Sequence, residues 1–111
     1  MMPIMRAPVT RAEFQAELWE HDGQGAWCFV TVPEEASEDI RFSPAAPAGW
    51  GSYRVEVQVG ETVWRTSVFP ASECFVLPVK KAVRKAEGIE VGDVVAVTLD
   101  CLLYTSDAAD E

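Results

Sequence analysis

Two alternating segments flanking Gly60-Glu61 constrain this chain more than any other feature. Tyr53, Val55, Val57 and Val59 alternate with Ser52, Arg54, Glu56 and Gln58. Successive side chains of a strand point to opposite faces, so one face is apolar and the other polar. Glycine at the first of two central positions suits a type II′ hairpin turn. A two-residue loop there sets Val57 opposite Trp64, Val55 opposite Thr66 and Tyr53 opposite Val68. On the other face Glu56 meets Arg65 and Arg54 meets Ser67. Apolar groups stay together and the charges match in sign, so the register is self-consistent. Val57 and Trp64 are expected to form a buried pair. The second strand is expected to end at Phe69-Pro70, because proline has no N–H for a ladder.

The remaining segments also read mainly as β structure. Phe14, Ala16 and Leu18 alternate with Glu13, Gln15 and Glu17, which predicts a half-buried strand. His21 to Gly25 reads as a turn, and Ala26 to Val32 as a second, more buried strand that includes Trp27. Pro33 followed by Glu34 and Glu35 favours a short helix, with proline at its first position. The stretch SPAAPAGWG, 43–51, is a loop. Val79, Ala82, Val83 and Ala86 fall on one helical stripe, with Lys80, Lys81, Arg84 and Lys85 opposite. Gly88 suits the left-handed residue that ends a helix. Gly92-Asp93 then turns the chain into a final strand with Val95, Val97 and Leu99 on one face. The sequence shows no internal repeat.

Composition excludes several classes. A chain of 111 residues is the size of one domain, and its 49% apolar content suits a globular protein. Its apolar runs are too short to span a bilayer, and Arg6 interrupts the apolar start too early for a secretory signal. A cytoplasmic protein with no membrane contact is therefore expected. The net charge of -9 opposes general attraction to nucleic acid or anionic lipid. Cys28 and Cys74 form no metal-ligand pattern with the single histidine, His21, so neither a metal nor another cofactor is expected. Cys28 could pair with His21 as a nucleophile, but it lies in an apolar run where a buried structural thiol is the ordinary role.

The last eleven residues, CLLYTSDAADE, look like the in-frame translation of a transposase adapter used in shotgun sequencing. The expected organisation is a flexible N-terminal stretch over 1–11, one β domain over 12–100 and a non-native tail over 101–111. Without the tail's three acidic residues the charge becomes -6. Residues after Leu99 are expected to add nothing to the fold. The adapter reading points to a metagenomic origin and leaves open whether the native chain continues past Asp100.

Four separated pieces, AWCFVTVP, GSYRVEVQVG, TVWRTSVFP and LPVKKAVRKAEGIEVGDVVAVTL, occur in the order found in domain-of-unknown-function family 1905. Over Phe14 to Leu99 the chain resembles that bacterial-type family. The resemblance implies a mainly β fold: a small closed double-split β-barrel with one or two short helices. It implies an architecture related to AbrB-like swapped-hairpin proteins and no established activity.

Seven residues stand out as candidate binding groups. Lys80, Lys81, Arg84 and Lys85 concentrate charge on an acidic protein, and positive charge near a helix start is unfavourable unless something anionic meets it. A solvated face paired with the protein's own carboxylates is the other reading of these four. Arg54 and Arg65 could line a polar pocket or a solvated sheet face. Trp50, between two glycines, could make an exposed contact or plug a barrel end. No catalytic constellation or phosphate-binding glycine loop is visible. The expected function is a non-catalytic binding or interaction module, not an enzyme, with an anionic ligand or protein partner. The alternative is a DNA-binding or antitoxin-like dimer by analogy with AbrB-type folds, which the acidic balance disfavours. The sequence leaves the oligomeric state open.

Overall fold

The computed structural model describes residues 10–21, 27–42 and 49–102, apart from the side chains of Thr10 and Trp50. The rest of the expected N-terminal stretch and turn, the 43–48 loop and tail residues 103–111 lie outside the described residues. Six strands run in the order β1 (Thr10–Glu20), β2 (Cys28–Val32), β3 (Tyr53–Val59), β4 (Thr62–Ala71), β5 (Cys74–Pro78) and β6 (Val94–Cys101). Helix α1 (Glu34–Arg41) follows β2, and α2 (Lys81–Glu87) follows β5. The strands close into an antiparallel barrel in the order β1-β2-β5-β4-β3-β6. Among the described residues, no helix is long and apolar enough to cross a membrane.

Two long strands shape the barrel by changing partners midway. β1 pairs with β6 as far as Glu17 and with β2 from Leu18 onward. β4 pairs with β3 as far as Val68 and with β5 from Phe69 onward. The barrel is thus split beside the first half of each long strand. Helix α1 packs against β1 and β5, whereas α2 packs against β4. The element order β-β-α-β occurs twice, so the structure carries a repeat that the sequence does not display.

The β3–β4 register is the expected one, from Tyr53↔Val68 through Val57↔Trp64 to Val59↔Thr62. Gly60 takes a φ of 60°, as the turn requires. Inward residues of every strand form one core, which includes Leu18, Val30, Val55, Val57, Leu77 and Leu99. Burying each such side chain stabilises the fold by about 1.5–3 kcal/mol. Tyr53 and Phe75 meet edge to face inside it, with centroids 5.6 Å apart.

Four local expectations are corrected. Pro33 is the N-cap of α1, not its first residue, with an extended ψ of 158°. β4 does not stop at Phe69-Pro70 but runs through Pro70 to Ala71. Pro70 lies opposite Phe75, whose own N–H turns away to the Ser37 hydroxyl, so the missing proline N–H leaves no broken bond across this pair. At the chain's two ends the barrel is longer than expected. β1 already pairs from Thr10, and Arg11 makes a bidentate ion pair with Asp100 at 2.8 and 3.1 Å. The hydrogen bond and charge of Asp100 raise the Arg11 pKa above its ordinary value. Cys101 is buried and pairs with Thr10 and Val55, and the Leu102 N–H donates to the Arg54 carbonyl. The first two residues of the CLLYTSDAADE string therefore take part in the barrel.

The fourth correction concerns α2. Gly88 ends it in the left-handed region, φ 67° and ψ 38°, as expected. Lys80 caps the helix, and Val79 extends β5, donating its N–H to the Cys28 carbonyl. Val79 and Val83 are buried, but Ala82 and Ala86 are exposed. The helix is rotated so that Val83, Arg84 and Glu87 face the barrel. In this orientation the Glu87 carboxylate accepts hydrogen bonds from the Glu61 N–H and the Thr62 hydroxyl at the β3–β4 turn. The sequence reading placed no weight on Glu87.

Candidate functional site: a cationic, aromatic cleft

The two splits are filled unequally. α1 buries Ala36, Ser37 and Ile40. The fully buried Ser37 hydroxyl donates to the Val32 carbonyl and accepts from the Phe75 N–H, both at 3.0 Å. Arg41 reaches the Glu73 carbonyl at 2.7 Å and lies over the Phe75 ring. On the other side, α2 buries only Val83. A cleft of about 360 Å³ remains between β4 and the junction of β2, β5 and α2.

The walls of this cleft come from distant parts of the chain. Trp64 and Arg65 belong to β4, Trp27 precedes β2, and Lys80, Lys81 and Arg84 come from the start of α2. Buried Cys28 and Val79 also line it, and among the described residues no carboxylate does. Arg84 is held in place as its Nε donates to the Val79 carbonyl at 3.1 Å. Lys80, Lys81 and Arg65 are exposed. Glu56 is the nearest counter-charge to Arg65, at 4.0 Å, too long for a strong pair.

Both cleft tryptophans differ from expectation. Trp27 was expected in the core and is 60% exposed. Cys28, Val30 and Val32 take the inward positions of β2, so strand parity sends Trp27 and Phe29 outward. Trp27 stacks on Phe29 at 6.3 Å, and Phe29 stacks on Trp19 at 5.2 Å. The Trp19 Nε1–H is held by the Thr31 hydroxyl at 3.0 Å. Trp64 does face Val57, but it is only half buried because the cleft opens beside it.

The seven sequence candidates therefore separate. Lys80, Lys81 and Arg84 line one cleft, and Arg65 lines its β4 edge with its guanidinium toward Glu56. Lys85 lies on an adjoining groove with Lys81, Arg84 and Glu90. Arg54 stands on the outer sheet face opposite Ser67, away from the cleft lining. Trp50 falls in a short 3₁₀ turn, Gly49–Gly51, and its side chain lies outside the described residues. Sequence reasoning missed Trp27 as a site residue. Its outward parity was the available signal, hidden because the whole 26–32 run is apolar.

Fold and cleft together define a small, closed, mainly β barrel with a basic, aromatic-walled cleft beside β4. The chain belongs to the family described as domain of unknown function DUF1905, whose model matches residues 14–99. No curated protein matches the chain.

Proposed function

We propose that this protein is a non-catalytic binding module whose ligand is anionic and occupies the cleft between β4 and α2. One observation carries this reading: Lys80, Lys81, Arg84 and Arg65 line a concavity that, among the described residues, no carboxylate lines, on a chain of net charge -9. Such a focus of charge attracts an anion locally, because the Debye length at physiological salt is about 8 Å. Ring faces and cations are groups that bind and orient.

Titration calorimetry with inorganic pyrophosphate tests the reading. Saturable binding is expected, weakening steeply with salt. Lys80→Glu with Lys81→Glu should reduce affinity at least tenfold and leave the melting temperature nearly unchanged, since both side chains are exposed. No binding by the parent chain, or equal binding by the double variant, would refute it.

A further inference from the structure

We propose that the ligand of this cleft is a nucleoside monophosphate, with its base against the indoles of Trp27 and Trp64 and its phosphate among Lys80, Lys81 and Arg84. This rests on the reading of the cleft as an anion site and goes further by naming the ligand's two halves.

The aromatic half follows from Trp27. A large apolar ring left 60% exposed at the edge of a charged cleft is available to a ligand. Its plane is set beforehand by stacking on Phe29, with 18° between the rings, and Phe29 is backed in turn by Trp19 at 28°. A ring held in this way loses little freedom when a flat partner stacks on it. Trp64, half buried, supplies a second indole on the β4 side. Base stacking on an aromatic side chain strengthens binding on the order of 5- to 150-fold.

The anionic half follows from the cations. Two lysines supply point charges, and the Arg84 fork matches phosphate oxygens. A dianion suits this set better than a single carboxylate. Size and surroundings favour a monomer over a polymer. The 360 Å³ cleft lies near the low end of the roughly 300–1,000 Å³ typical of small-ligand sites. A strand of nucleic acid needs a continuous positive track. Here four of nine basic residues sit in the cleft, while the chain carries eighteen acidic ones.

The test is calorimetry on the full chain with AMP, GMP, CMP and UMP, ribose 5-phosphate, adenosine and a single-stranded ten-nucleotide DNA. The tightest mononucleotide should bind at least tenfold better than ribose 5-phosphate or adenosine. Trp27→Ala should erase that advantage while leaving ribose 5-phosphate binding unchanged and the chain folded by circular dichroism. Trp27→Phe should keep most of it. Equal binding of ribose 5-phosphate and the mononucleotides would overturn this inference and leave the anion-site reading standing. If pyrophosphate fails to bind, the anion-site reading falls and this inference falls with it. A ten-mer binding tenfold tighter than any mononucleotide would make the ligand a polymer and overturn the proposal.

Discussion

Ser37→Ala isolates the device that closes one of the two splits. The Ser37 side chain is fully buried, and its hydroxyl joins the Val32 carbonyl to the Phe75 N–H. Alanine fits the space and suits a helix, so the change acts through hydrogen bonding alone. A typical intramolecular hydrogen bond contributes about 0.5–1.5 kcal/mol net, and a buried group left unsatisfied costs about 1–3 kcal/mol. The Phe75 N–H loses its acceptor and points away from Pro70, on the other side of the strand. The expected loss is therefore about 2–3 kcal/mol, offset by a few tenths from helix propensity. Urea denaturation should show a lower midpoint at an unchanged m-value. The melting temperature should fall by about 4–8 °C per kcal/mol for a domain of this size. Native-state hydrogen exchange should show the Phe75 amide losing protection before its neighbours. A variant within about 0.5 kcal/mol of the parent, with Phe75 still protected, would refute the bridging role.

Gly60→Ala should cost more than about 1 kcal/mol, since Gly60 is at φ 60° and a Cβ would run into the Glu87 carboxylate. Pairing it with Glu87→Ala in a double-mutant cycle should return part of that loss, and strict additivity would show that the two do not interact. Trp64→Ala should cost about 1–3 kcal/mol by chemical denaturation, below the roughly 3–5 kcal/mol of a fully buried tryptophan; a larger loss would mean that the ring is core. A chain ending at Asp100 should be less stable by about 1–3 kcal/mol than one ending at Leu102, through loss of buried Cys101 and the Leu102 hydrogen bond. Equal melting temperatures for those two chains would show that the end of β6 contributes nothing.

The residues by themselves determined what depends on near neighbours. The β3–β4 register followed from alternation and a glycine turn, and every pair lies where the pattern put it. Gly88 and the inward face of β6 followed for the same reason, since both are settled within a few residues. Tertiary structure decided which strand edges meet and how far each ladder runs. Nothing local says that β1 and β4 exchange partners midway, because that depends on ladders closed by residues up to 91 positions apart, Thr10 and Cys101. The rotation of α2 was equally hidden, for the apolar stripe pointed to Ala82 and Ala86 while the Glu87 carboxylate was drawn to the hairpin turn. The cleft is the product of both effects. Its basic residues could be named in the sequence, but their meeting with Trp27 and Trp64 needed the unfilled split beside β4. Charge can be counted along a chain, whereas concavity exists only once distant segments have packed.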